Sequence, residues 1–330
     1  MSITPERRGP NRREFVVFGL GAFTVAALPL LERRRGHVVR RTMPVMGTIA
    51  TFAVVHRDVH AAHAAIDAAM NELLRVERTM TRFTTTSDLG QANLAAARGP
   101  VAVGRETAYV VSEALRWADA TDGAYDPAIG GCVALWDVTH RHEPPPEERV
   151  ARLAGRTLHR FVEVDTHRAT PVVLYRDDDA KLDLGSIAKG YGVDRAVAAL
   201  RERGVTSAIV EAGGDLYAVG TSPGGDPWRV GIQDPNDDRA LVGTIDVADA
   251  AIATSGTYRQ FFRYRGRRYH HLLDPRTGAP RATPVQSLTI TADSCMHADV
   301  AATALFGMAP DRAVHVLTRC APGGSIVRRV

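Results

Sequence analysis

Cysteine is scarce in this chain: Cys132, Cys295 and Cys320 are the only three among 330 residues, and their spacing is neither that of a paired framework nor that of a metal-ligand set. An odd count allows at most one bridge and leaves a thiol over, so the three read as structural. None lies in residues 1 to 41, which excludes lipid attachment there. Internal repeats and low-complexity tracts are missing. So are the Gly-rich dinucleotide fingerprint and the nucleoside-triphosphate loop, which removes two common nucleotide-binding classes.

A general excess of positive charge is also lacking, although the formal net charge is +4 and the pI is near 9.1. Residues 1 to 41 hold nine arginines against three glutamates, a net of +6, and the remaining 32 basic and 34 acidic residues net −2. Once the leader is set aside, no footprint for nucleic acid remains. The leader itself carries Asn11-Arg12-Arg13-Glu14-Phe15 followed by an apolar run of 17 residues, Phe15 to Leu31, interrupted by Gly19, Gly21, Thr24 and Pro29. This is similar to a twin-arginine export signal; a short N-terminal membrane anchor is the alternative. Either reading places the body, residues 42 to 330, outside the cytoplasmic membrane, in the periplasm or cell envelope.

With 45% hydrophobic and 24% charged residues, that body is ordinary globular material with ample length for a core, as one large domain or two intimate halves. Val45 to Phe52 alternates toward a strand, and a long amphipathic helix is predicted from about Asp58 to Thr79. Met80 to Asp88 is a polar loop, a second helix runs from about Arg105 to Thr121, and Glu143 to Glu148 is an exposed excursion. Short apolar runs at 161–164, 172–175, 207–211, 216–220, 228–232, 242–247, 251–254 and 285–291, separated by Gly, Pro, Asn and Asp, read as antiparallel strands. Helices close the chain near 296–307 and 310–320. Helices segregated from runs of strands predict an α+β fold of antiparallel sheets with packed helices.

The stretch around which the chain is organised is Leu182 to Asp194, with Glu211-Ala212-Gly213-Gly214-Asp215 some twenty residues later. An apolar strand turns through small residues and opens a helix toward Arg203. Backbone N–H groups at a helix start, with Gly and Ser leaving room, suit an anionic phosphate; a Gly-rich turn without a ligand is the alternative. Thr254-Ser255-Gly256 adds a hydroxyl cluster. In His270 to Gly278, His271 is a candidate general base, because imidazole titrates near neutral pH, while Asp274 also fits as the first residue of an Asp-Pro turn. Asp299 and Thr303 lie four apart on a predicted helix, so both oxygens face one way, toward a hard cation such as Mg²⁺ rather than zinc.

Together, Met46-Gly47-Thr48, Ala124-Tyr125-Asp126-Pro127, Leu182 to Asp194, Ala212 to Asp215, Thr254-Ser255-Gly256, His271 to Gly278 and His297-Ala298-Asp299 to Thr303 occur in the order and spacing of one family. Over residues 43 to 320 the chain resembles the ApbE family of FAD:protein FMN transferases. The resemblance implies a T-fold-related α+β domain and Mg²⁺-dependent cleavage of the FAD pyrophosphate, with FMN passed to a Thr or Ser hydroxyl of an acceptor protein and AMP released. Acceptor sites of the family look like Ser/Thr-Gly-Ala-Thr/Ser segments of exported or membrane-bound electron-transfer subunits. By position, Met46, Phe83, Ala124, Tyr125 and Asp126 match residues lining the FAD site, and Leu273 matches a flavin-contacting backbone position. Ser186 and Lys189 would flank the phosphates, and Lys189 would share the catalytic work with His271 as base. The carbonyl of Ala188 matches a backbone metal ligand and the side chains of Asp299 and Thr303 match the side-chain ligands, with Ala302 between them in the same set.

Two departures from the family pattern stand out. Position 83 is Phe where many relatives carry Tyr, so stacking survives and a phenol hydrogen bond is lost. The lipoprotein cysteine of many relatives is missing. Two other functions stay open on the sequence: an Mg²⁺-dependent FAD pyrophosphatase, and an extracytoplasmic FAD carrier without turnover.

Overall fold

The protein is described from a computed structural model, covering residues 23 to 26 and 36 to 330. In chain order the strands and helices are β1 (Phe23–Ala26), β2 (His37–Val45), β3 (Thr48–His56), α1 (Val59–Met80), α2 (Asp88–Ala95), β4 (Val101–Ala102), α3 (Arg105–Ala120), α4 (Gly130–Trp136), α5 (Glu147–Leu153), β5 (Val162–Asp165), β6 (Val172–Tyr175), α6 (Ala188–Glu202), β7 (Ala208–Ala212), β8 (Asp215–Val219), β9 (Trp228–Gln233), β10 (Leu241–Val247), β11 (Ala250–Gly256), β12 (Phe261–Tyr264), β13 (Arg267–His270), β14 (Leu273–Asp274), β15 (Ala279–Pro280), β16 (Ser287–Ala292), α7 (Cys295–Ala304), α8 (Pro310–Cys320) and β17 (Ser325–Arg329).

The fold is α+β, as predicted. Its frame is a seven-stranded antiparallel sheet in the order β17-β16-β11-β8-β7-β3-β2. Every residue of the central strands β7 and β8 is buried, because both faces of the sheet are covered. On one face lies the main core, to which Phe52 and Val210 of the sheet, Ile66 and Leu73 of α1 and Val197 and Leu200 of α6 contribute. On the other, Ile209, Leu216 and Ile252 meet Trp228, Val230 and Ile232 of a small sheet ordered β1-β9-β10. All three cysteines are buried and unbridged.

Helix α1 is set by Asp58, whose carboxylate accepts from the His60 and Ala61 N–H groups at 2.8 and 3.2 Å. Its buried stripe, Ala62, Ala65, Ile66, Ala69, Leu73, Val76 and Met80, has the spacing of a helix laid on a sheet. Where the alternation predicts a single strand over Val45 to Phe52, the chain instead forms a hairpin. Met46 and Gly47 take φ of +52° and +70° between β2 and β3, and a turn with both central residues left-handed matches strand twist.

Arg40 and Arg41, read with the leader, belong to β2. Most of the apolar run Phe15 to Leu31 lies outside the described residues, but β1 pairs antiparallel with β9 and Phe23 is buried against it. Among the described residues no helix is long and apolar enough to cross a membrane.

Candidate functional site

The predicted phosphate turn opens α6, with Ile187 at the cap and Ala188 as first helical residue, buried. Gly190 lets α6 and α7 touch backbone to backbone: a Cβ there would lie 2.3 Å from the Cys295 carbonyl oxygen and 2.8 Å from Asp299 Cβ. Asp194, one turn further along α6, accepts from the Cys295 and Met296 N–H groups at 2.7 and 2.9 Å and thereby caps α7. This contact brings Asp299 over the start of α6.

The result is a compact charge cluster. Lys189 Nζ lies 3.1 Å from both carboxylate oxygens of Asp299, 2.8 Å from Asp215 Oδ2 and 3.3 Å from the Gly185 carbonyl. Asp299 Oδ2 also accepts from the Gly190 N–H at 3.1 Å. Burial works against the Lys189 charge, but the two carboxylates outweigh it and hold its pKa above the ordinary lysine value. Burial, then the charge of Asp299, pushes Asp215 well above the usual carboxylate range, with Lys189 opposing. Asp215 opens β8 opposite Ala253 of β11, so sheet register delivers it to the cluster. In the sequence Asp215 stands in a motif without a role of its own; its place at the end of a Gly-Gly turn between two predicted strands is the signal that could have found it.

Register also carries β11 past α7, where Ser255 Oγ is 3.0 Å from Thr303 Oγ1. At the C-terminal end of α7, Leu305 N–H bonds to the carbonyls of Ala301 and Thr303, and Phe306 N–H to that of Thr303. The buried Ala302 carbonyl takes no backbone partner beyond the helix among the described residues. Ser186 meets the Tyr125 hydroxyl at 2.9 Å, which ties the Ala124–Pro127 turn to the phosphate turn.

His271 follows β13 and is half-buried. Its Nδ1 lies 3.3 Å from the Gln260 carbonyl, which can only accept, so the proton sits on Nδ1 and Nε2 keeps its lone pair. Burial first, with smaller contributions from His270 and Lys189, holds its pKa down at about 4. Leu273 is buried in β14. Arg281, not foreseen from sequence, fastens this loop to the Ala124 turn: its guanidinium donates to the carbonyls of Ala124 (2.5 Å) and Phe306, and its own N–H to that of Leu272 (2.8 Å). Asp274 is a turn residue, accepting from Arg276 N–H at 3.0 Å and from its guanidinium at 3.2 Å.

Two residues sit differently from the rest. Phe83 is 78% exposed with the Arg82 guanidinium 4.3 Å from its ring centroid, and Arg82 in turn pairs with Asp183 of the phosphate turn at 2.6 Å. Asp126 is turned inward, accepting from the N–H groups of Ala128 (2.8 Å) and His159 (3.1 Å), with His159 Nδ1 at 3.0 Å. Met46 packs at the Gly192 side of α6, its N–H bonded to Glu77 at 2.6 Å. Orphaning the buried donors around Asp126 predicts that Asp126→Ala lowers stability by roughly 2–5 kcal/mol, read as a urea-unfolding midpoint; a shift below ~1 kcal/mol would show the carboxylate is not structural.

Among the described residues no group of three or more His, Cys, Asp or Glu side chains gathers as a metal site. What the cluster offers is oxygen: two buried carboxylates, the Thr303 hydroxyl and the unclaimed Ala302 carbonyl. Asp215 Oδ2 is buried with an ion pair to Lys189 but no directed hydrogen bond. Such a donor set fits a hard divalent cation and does not fit zinc.

A lysine between two buried carboxylates at a helix start, within electrostatic reach of a neutral imidazole with a free nitrogen, is an arrangement that suits an enzyme of phosphate chemistry on an α+β frame. The ApbE family profile matches residues 46–325. The chain is 35% identical over 280 residues to an FAD:protein FMN transferase of Vibrio cholerae, covering 83% of this chain and 82% of that one. It is 32% identical over 302 residues to an FAD:protein FMN transferase of Treponema pallidum, covering 86% and 83%. Its structure is similar to the crystal structure of the ApbE protein of Thermotoga maritima, with TM-score 0.78 at 30% identity over 88% of this chain and 97% of that one. The chain belongs to the ApbE family.

Proposed function

We propose that this protein is an exported, Mg²⁺-dependent FAD:protein FMN transferase that joins FMN to a Ser or Thr hydroxyl of an acceptor protein and releases AMP. The Lys189–Asp215–Asp299 cluster at the start of α6 carries the reading, since its two buried carboxylates are an oxygen-rich seat for a divalent cation next to the phosphate turn, with the neutral His271 imidazole within electrostatic reach of Lys189. In this reading Met46, Phe83, Ala124, Tyr125 and Leu273 line the flavin nucleotide, and Asp126 shapes that lining from behind. Ser186 and the α6 backbone hold the phosphates, with Lys189 supplying fixed positive charge. Asp299, Thr303 and the carbonyls of Ala188 and Ala302 would hold Mg²⁺, which when bound neutralises pyrophosphate charge.

His271 Nε2 accepts the proton of the incoming hydroxyl. The hydroxyl oxygen bonds to the FMN phosphorus, the bond from that phosphorus to the bridging oxygen breaks, and AMP leaves with the bridging oxygen. Water in place of the hydroxyl gives FMN and AMP. The Arg12-Arg13 pair and the apolar run after it support export, with the leader as the element that would contact the membrane.

The test is incubation of the full chain with FAD, Mg²⁺ and a tagged acceptor carrying Ser-Gly-Ala-Thr, with in-gel flavin fluorescence and AMP read together. Covalent flavin with matching AMP is the expected result. AMP and free FMN without label would make the protein a pyrophosphatase, and bound FAD with neither product a carrier.

A further inference from the structure

The β12–β13 hairpin carries a concentration of charge that the fold does not use. Between Asp249 and Asp274 there is no acidic residue, whereas Arg259, Arg263, Arg265, Arg267 and Arg268 fall within ten positions. Arg263, Arg265 and Arg267 are exposed. Among the described residues, none of Arg263, Arg265, Arg267 and Arg268 forms an ion pair. Their guanidinium carbons instead stand over aromatic rings: Arg263 and Arg268 over Phe261 at 5.8 and 4.7 Å, Arg265 over Tyr264 at 5.1 Å, and Arg267 over Tyr269 at 5.2 Å.

Two features work against the hairpin's own stability, one of charge and one of backbone. Register sets Arg263 directly opposite Arg268, and like charges facing across a strand pair are destabilising. The equivalent exposed pair elsewhere in the molecule, Arg229 opposite Asp246 on β9 and β10, is an ion pair at 2.8 Å. The two-residue turn places Arg265 at φ +48° ahead of Gly266 at +79°, where Asn, Asp or Gly would be strain-free. Local stability comes from the face that Phe262 and Tyr269 share with Tyr264 and Arg267, where Tyr269 lies 5.2 Å from Phe262 and 5.7 Å from Trp136, centroid to centroid.

The hairpin is also an extension of the site. His271 N–H donates to the Gln260 carbonyl at 3.1 Å, so the residue that comes after β13 closes the base of the hairpin. Trp136 Nε1 donates to the Gly278 carbonyl at 2.6 Å and fixes the underside to the same loop. At ~3.3 Å per residue along a strand, the arginine tip stands roughly 13–17 Å from His271. A protein whose hydroxyl reaches His271 therefore comes within about that distance of the arginines.

We propose that the hairpin is the docking surface for the acceptor protein and recognises acidic side chains flanking the modified hydroxyl, a proposal that rests on the transferase reading. Acidic protein fits better than an anionic membrane. The hairpin bears none of the molecule's exposed large apolar side chains among the described residues; guanidinium groups stand over Phe261, Tyr264 and Tyr269 and Phe262 is buried, so nothing is free to insert into lipid.

The experiment compares two acceptors identical except that Asp and Glu, or Asn and Gln, flank the Ser-Gly-Ala-Thr segment, using full-length protein with FAD and Mg²⁺. At low salt the acidic acceptor should be labelled with kcat/KM at least about tenfold higher, and the advantage should collapse at ~1 M salt, where screening acts within ~3 Å. The Arg263→Gln/Arg265→Gln/Arg267→Gln protein should lose the preference while releasing AMP from FAD and water at the wild-type rate; the matching Lys triple variant should keep it. Equal labelling of both acceptors by the wild type overturns the proposal, and needs no variant to fold. Equal labelling together with binding to phosphatidylserine vesicles that the Gln variant loses would reassign the surface to lipid. Absence of flavin on either acceptor overturns the transferase reading itself.

Discussion

Asp299→Ala is expected to lower Mg²⁺-dependent AMP release by at least roughly 10²–10³-fold, the scale seen when one preorganised oxyanion-stabilising group is removed from an active site, and to leave the fold intact. Both oxygens of this buried carboxylate lie 3.1 Å from Lys189 Nζ, so its loss removes the proposed metal's main side-chain ligand and the partner that orients the lysine. The structural cost has two opposed parts. The Gly190 N–H loses its acceptor, at ~1–3 kcal/mol for a buried donor. Against that, the charge that helps push the Asp215 pKa up disappears, which relieves a like-charge contact. Asp299→Asn separates the two contributions, because an amide oxygen still accepts from Gly190 while the charge is gone. Both variants should unfold near the wild-type midpoint and both should be inactive. Wild-type turnover in either, with the same Mg²⁺ dependence, would sink the metal assignment.

Much of this arrangement is legible in the sequence because it depends on local rules. The helix predicted at 310–320 is α8, Pro310–Cys320, since Pro opens it and its apolar residues, Ala313, Val316 and Leu317 among them, keep helical spacing. The phosphate turn is recognisable because small residues precede a helix start. What the sequence hides is what long-range packing decides. Helix α2, Asp-Leu-Gly-Gln-Ala-Asn-Leu-Ala, has no apolar stripe and is set by Ser87 accepting from Gly90 N–H at 2.9 Å. Helix α4 begins with two glycines, a poor helical start on propensity alone. Hairpin β12–β13 lacks alternation and faces arginine with arginine, so no pattern announces it. Asp126 sits in a motif beside site residues, yet its partner His159 lies 33 positions away. Arg281 likewise joins Ala124 to Phe306 only in three dimensions.

His271→Ala should slow transfer by roughly 10²–10⁴-fold with FAD binding retained, the usual contribution of a positioned general base. The pH profile distinguishes a base from a merely structural histidine. Burial holds the His271 pKa at about 4 against an ordinary 6.5, so the imidazole is neutral, with Nε2 free, from about pH 5 upward. Protonation disables it, and kcat/KM in the wild type should therefore fall only as pH drops through about 4. An unperturbed imidazole would place that limb near 6.5. The same shift has a folding signature: His270 and His271 both sit near 4 when folded, so the unfolded chain binds more protons between about 4 and 6.5. Stability should then rise with pH across that window, and the rise should shrink in His271→Ala. An acid limb that stays in place when His271 is replaced, or FAD binding lost with normal turnover on the bound fraction, would assign the proton to another group. With limb and rate lost together, the residue that closes the arginine hairpin is also the one that takes the acceptor's proton, so the acceptor must engage both ends of one short element at the moment of transfer.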